Sequence, residues 1–85
     1  MTLKLRDGVS TADTDYGVTL LDENSGQYWN LNPTGALVLQ MLLAGGTPAQ
    51  AVQELTEQYE VNADTASRDV GDLVDSLHSA GLVKE

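Results

Sequence analysis

The 85-residue sequence predicts an α+β fold in which a three-stranded antiparallel sheet is followed by three helices. Three observations carry that prediction. The first third is rich in Thr, Val, Tyr and Leu and is punctuated by Gly and by Asp or Asn clusters, the pattern of short strands joined by turns. The remainder carries apolar residues at three- and four-residue spacing, the helical period. Each helical stretch also opens on Asn or on a polar residue followed by Pro, which are helix starts. The length allows one domain, spanning 1–85, and the 41% apolar content must form one core with no disulfide support, because the chain has no Cys.

The first strand is expected over Val9 to Ala12, with Leu3 to Leu5 as an earlier extended piece, and Asp13-Thr14-Asp15 turns the chain. Gly17 to Asp22 is the second strand. Glu23-Asn24-Ser25-Gly26 then returns the chain as a hairpin through the third, Gln27 to Leu31, since Asn and Gly tolerate positive φ. Asn32-Pro33 caps a first helix reaching about Ala44, whose Ala36 to Leu39 and Met41 to Leu43 leave hardly a polar face, so it is the buried central helix. Gly45-Gly46 ends it. Thr47-Pro48-Ala49-Gln50 matches a capping box and opens a second helix, with Ala51, Val52, Leu55 and Tyr59 on one face and an end near Glu60. Asn62 caps a third helix in which Ala66, Val70, Leu73, Val74 and Leu77 recur, Gly81 supplies the left-handed terminus, and Leu82 and Val83 fold back onto the core.

Thirteen acids against four bases give a formal charge of −9. That balance opposes a role that depends on neutralising phosphates, so neither nucleic acid nor a membrane surface is an expected partner. The longest apolar stretch, Ala36 to Ala44, falls far short of the ~20 residues of a membrane span. No signal-peptide pattern opens the chain, and with no Cys the expected location is cytoplasmic. For catalysis the inventory is thin. His78 is the sole histidine and its place suits the negative end of the third helix. Asp64 and Asp72 bracket Arg68 at four residues each way, which reads as a solvated surface. No catalytic residue, metal or cofactor is expected.

The third strand is the informative element. With the second strand in the middle of the meander, Gln27-Tyr28-Trp29-Asn30-Leu31 is an edge, and none of its five residues is Lys, Arg, Asp, Glu or Pro, the usual guards against strand pairing. Such an edge suits β-augmentation by an incoming extended peptide. Ordinary packing of Tyr28 and Trp29 is the competing reading. Because side chains alternate across a strand, one of the two faces the core and the other is available.

Leu31-Asn32-Pro33-Thr34-Gly35, preceded by Gly17 to Asp22 and by Gly26-Gln27-Tyr28-Trp29, resembles the PqqD-like family of precursor-recognition domains for ribosomally made, post-translationally modified peptides. The resemblance runs from Val9 to Val83 and includes Gly45 to Pro48 and Ala80-Gly81-Leu82-Val83. Within that family, the stand-alone acidic form with Tyr-Trp-Asn-Leu-Asn looks most like the small leader-binding half of the split B protein of lasso-peptide biosynthesis. The resemblance implies a winged helix-turn-helix-like fold and a non-catalytic role. A precursor leader peptide would add as a strand along Gln27, Tyr28, Trp29, Asn30 and Leu31. A groove beside the third helix would draw on some of Arg68, Asp69, Val70, Asp72, Leu73, Ser76 and Leu77, although Val70, Leu73 and Leu77 serve equally well as core. A separate cysteine leader peptidase and an ATP-dependent macrolactam synthetase would be the partner enzymes. Leader binding would spare the second helix. The competing functions are a winged-helix transcriptional regulator, which four aspartates against Arg68 on the third helix disfavour, and an acidic protein-interaction module.

Overall fold

The structure, a computed structural model, describes residues 3–84; Met1, Thr2 and Glu85, which belong to the expected domain of 1–85, lie outside the described residues. Along the chain come β1 (Lys4–Leu5), β2 (Val9–Thr14), β3 (Gly17–Asp22), β4 (Gln27–Leu31), α1 (Pro33–Leu43), α2 (Pro48–Gln58), α3 (Ala63–Ser79) and β5 (Val83–Lys84). The expected antiparallel meander is present, in the order β2-β3-β4, followed by the three expected helices.

Two features differ from the sequence expectation. The piece at Lys4–Leu5 is a strand in its own right and pairs antiparallel with Val83–Lys84, forming a second, two-stranded sheet. Its partner lies at the far end of the chain, where no local pattern announces it, and burial of Leu3, Leu82 and Val83 draws the two ends together. The first strand also runs two residues further than expected, to Thr14, so that Asp15 and Tyr16 make the turn. Thr14 Oγ1 accepts from the Tyr16 N–H at 3.2 Å, satisfying backbone in that turn.

Register decides what each sheet face carries. Leu20 is opposite Trp29 and Val18 opposite Leu31, so these four share the face that packs on the helices. Thr19 opposite Asn30, and Leu21 opposite Tyr28, face away, and Thr19 Oγ1 donates to Asn30 Oδ1 at 2.6 Å across that outer face. The β3–β4 turn occupies Glu23 to Gly26 as expected, with Gly26 at φ +76°. Asn24 N–H donates to Asp22 Oδ1 at 3.0 Å within it.

Each helix starts where the polar residues dictate. Asn32 Oδ1 accepts from Gly35 N–H at 2.8 Å, and Asn62 Oδ1 from Thr65 N–H at 2.8 Å. At α2 the capping box is complete: Gln50 N–H donates to Thr47 Oγ1 at 3.1 Å, and Thr47 N–H donates to Gln50 Oε1 at 2.9 Å. Thr47→Ala removes the side-chain acceptor and leaves the Gln50 N–H without its capping bond; a loss of about 1 kcal/mol in urea unfolding is expected. α3 ends in a Schellman arrangement, with Leu82 N–H bonded to Leu77 O and Gly81 N–H to His78 O, both at 3.0 Å. That turn delivers buried Leu82 to the core, the fold-back the sequence anticipates.

α1 lies at the centre, against α2, β3, β4 and α3. Its buried Ala36, Val38, Leu39 and Leu42 meet Leu20 and Val18 from the sheet, Ala51 and Leu55 from α2, and Ala66, Val70 and Leu77 from α3. α3 packs mainly on α2 and more lightly on α1 and β5. Where α3 faces β4, a groove is left.

Candidate functional site

Among the described residues, two strands of the meander have a free edge, β2 and β4. β2 carries Asp13, one of the usual guards, and all of its residues but Val9 are exposed to solvent. β4 carries no charged residue and no Pro, and its end opens onto a groove of about 490 Å³. At an antiparallel edge, alternate residues turn both N–H and C=O outward, so β4 presents a short backbone ladder beside a cavity.

The groove is built from four elements. Asn30 and Leu31 of β4 form one wall, continued by Asn32, Thr34 and Gly35 at the start of α1. The opposite wall is α3, through Asp69, Asp72 and Leu73, which helical spacing places on one stripe. Val38 of α1 and Leu55 of α2, both buried, form an apolar floor, and Tyr59 and Val61 close the end where α2 stops. Asn32 is held rigidly, because its Oδ1 accepts from both Gly35 N–H and Thr34 Oγ1, the latter at 2.9 Å. The cap that starts α1 thereby also fixes the shape of this wall.

The structure gathers part of the expected set. Asn30, Leu31, Asp69, Asp72 and Leu73 meet around the groove. Trp29 is half-buried, packing on the core from the helix side of the sheet, while Tyr28 is 66% exposed on the outer face, so the alternation expected for the two aromatics holds. Gln27 is exposed at the far end of the edge. Val70 and Leu77 are 2% and 3% exposed and face the core, and Arg68 and Ser76 lie exposed on α3 outside the groove lining. Among the described residues neither Asp69 nor Asp72 has a cation within ion-pairing distance, and Arg68 is paired with neither Asp64 nor Asp72.

The sequence reading did not place Asn32, Thr34, Gly35, Val38, Leu55, Tyr59 or Val61 at the site. Leu55 and Tyr59 read as one apolar face of α2, and the signal that separates them is position: Tyr59 follows the last helical residue, so its ring reaches the end of the groove instead of the helix interface. Leu55, in the last turn of α2, and Tyr59, just past it, thus line the groove.

Among the described residues, the lining of the groove contains no His, Cys, Lys or Arg. Among the described residues no group of three or more His, Cys, Asp or Glu could hold a metal ion. No helix among them is long and apolar enough to cross a membrane.

Comparison with solved structures places this geometry in context. The chain is similar to "Lasso peptide synthetase B1 complexed with the leader peptide", with 47% identity, full coverage of both chains and a TM-score of 0.93. It is also similar to "TbiB1 in Complex with the TbiA(beta) Leader Peptide", with 30% identity, 95% of this chain and 94% of that chain covered, and a TM-score of 0.84. No curated protein matches the chain. Residues 17–83, which run from the start of β3 through the groove to β5, match the family described as Coenzyme PQQ synthesis protein D, and the chain belongs to this PqqD family.

Proposed function

We propose that this protein binds the leader of a ribosomally made precursor peptide in lasso-peptide biosynthesis, and that it does so without catalysing a reaction. The observation that carries this reading is the unguarded β4 edge opening onto a groove, in a chain 47% identical over its full length to a lasso peptide synthetase B1 complexed with a leader peptide. The leader adds as a strand along Gln27, Tyr28, Trp29, Asn30 and Leu31, and its side chains enter the groove against Asp69, Asp72 and Leu73, with Arg68 and Ser76 on the exposed flank of α3. Val70 and Leu77 contribute from beneath, by fixing α3 on the core.

A five-residue edge supplies few backbone bonds, each worth about 0.5 to 1.5 kcal/mol net, so an aliphatic or aromatic leader side chain on the Val38–Leu55 floor contributes much of the affinity. Held in this way, an extended leader is presented to a separate cysteine leader peptidase in the cytoplasm, and an ATP-dependent macrolactam synthetase acts on the remaining core peptide. The family resemblance supports those partners, and the thin inventory of catalytic groups supports a binding role. A DNA-binding role finds no support, since the exposed side of α3 carries Asp64, Asp69, Asp72 and Asp75 beside Arg68.

A titration with the leader peptide, followed by amide chemical shifts, tests the reading. Shifts are expected at Gln27 to Leu31, on α3 around Asp69 to Leu73, and at Leu55 to Val61, where α2 ends. Shifts confined to the first two turns of α2, or to the β2 edge, contradict it.

A further inference from the structure

We propose that Gly35 sets the size of the leader side chain that the groove admits: the absence of a Cβ at this position makes room for a bulky apolar anchor, an inference that rests on the leader-binding reading above. Gly35 and Val38 both line the groove and stand three residues apart on α1, so they lie one above the other on the same face of the helix. Gly35 is half-buried and Val38 is buried, which puts Gly35 nearer the mouth and Val38 at the floor. A leader side chain that reaches Val38 along this wall passes over Gly35.

The backbone does not require glycine there. Gly35 is the third residue of α1 and is not among the glycines with positive φ, and within a helix glycine is less favourable than alanine. Nor does the helix cap require it. Asn62 caps α3 as Asn32 caps α1, each Oδ1 accepting at 2.8 Å from the N–H of the third helical residue, and in α3 that residue is Thr65. The corresponding residue of α2 is Gln50. A Cβ added at Gly35 would meet no main chain: its nearest neighbours are Asn32 Oδ1 at 3.2 Å and Leu31 Cβ and Cδ2 at 3.6 and 3.9 Å. Leu31 and Asn32 are themselves part of the groove lining, so a methyl group here adds to the groove wall. What the glycine supplies is a bare stretch of helix that a ligand can approach closely.

The test compares Gly35→Ala with Gly71→Ala. Gly71 also lies within a helix without positive φ, but it is exposed, has nothing within 4 Å of an added Cβ and is absent from the groove lining. Two residues beyond Asp69, it stands about 200° around α3 from that side chain, on the side away from the groove. The probe is the leader peptide that the 47%-identical lasso peptide synthetase B1 binds, together with its single-alanine derivatives, with affinities measured calorimetrically. In the wild-type protein the derivative with the largest loss marks the anchor. In Gly35→Ala the parent peptide is expected to bind about tenfold more weakly, because the methyl group is forced against a packed side chain, while the derivative with alanine at the anchor keeps its affinity to within about twofold. In Gly71→Ala both affinities are expected to match the wild-type values. The urea midpoints of both variants are expected to equal or exceed that of the wild-type protein, since alanine replaces glycine within a helix. A ratio of parent to anchor-alanine affinity that is the same in Gly35→Ala as in the wild-type protein overturns the proposal alone, whatever the midpoint, because a purely structural defect weakens both peptides equally. A parent peptide that fails to bind the wild-type protein overturns the leader-binding reading and this inference with it.

Discussion

Methylating the backbone nitrogen of alternate leader residues will weaken binding by about 10- to 100-fold, while methylating the residues between them will change it little. β4 has five residues, of which two or three turn their N–H and C=O away from β3. A leader strand pairing there exchanges bonds only through every second residue. Each N-methyl group at a paired position removes a bond worth about 0.5 to 1.5 kcal/mol and also places a carbon inside the ~4.8 Å spacing that neighbouring strands keep. The unpaired nitrogens point to solvent and tolerate the methyl group. Affinities of a singly methylated series would give the profile directly, and a profile without a two-residue period would mean that side chains alone hold the leader. Substitutions in the protein are less decisive, because Trp29 and Leu31 also pack on the core, so their loss would change stability and binding together.

The second large effect is on stability. Gly17→Ala is expected to cost about 3 kcal/mol, a large share of the roughly 4 to 13 kcal/mol that a chain of this size possesses. Gly17 has φ +146°, and a Cβ there would lie 1.9 Å from the backbone oxygen of Leu31 and 2.9 Å from the carbonyl carbon of Asn32. Both neighbours are main chain at the end of β4, so neither can swing aside. The start of β3 must pass this close because Val18 pairs with Leu31. Gly26→Ala supplies the comparison: Gly26 also has positive φ, at +76°, but nothing lies within 4 Å of its added Cβ, and only the ~1 to 2 kcal/mol of left-handed backbone cost is expected. Urea unfolding of the two variants separates collision from conformational cost. Equal losses would show that the close approach of β3 to β4 is absent in solution.

Local chemistry made most of the fold legible. Asn32-Pro33, Thr47-Pro48 and Asn62 announce three helix starts, and each side chain accepts the bond expected of it. The β3–β4 hairpin was legible because Asn24 and Gly26 suit a tight turn between two alternating segments. What was not legible depends on contacts distant in sequence. Lys4–Leu5 is too short to declare itself a strand, and only pairing with Val83–Lys84 makes it one. The groove shows the same division. The edge character of β4 follows from its composition and place in the meander, but its opposite wall does not, because Val70, Leu73 and Leu77 have the same apolar character and the same helical period. Packing on α2 and α1 buries Val70 and Leu77 and leaves Leu73 beside Asp69 and Asp72 at the groove. Tyr59 is a further case: helical spacing assigns it to the α2 core face, whereas the extended backbone at its position, φ −128° and ψ 152°, carries it past the helix end.

Amide hydrogen exchange along β4 is the most direct test of the account, because strand addition changes a backbone property that side-chain docking leaves alone. In the free protein, the outward-facing amides among Gln27, Tyr28, Trp29, Asn30 and Leu31 should exchange far faster than those bonded to β3, and leader peptide should slow the outward set by at least tenfold. Outward amides already protected without leader, or left unprotected at saturating leader, would contradict it.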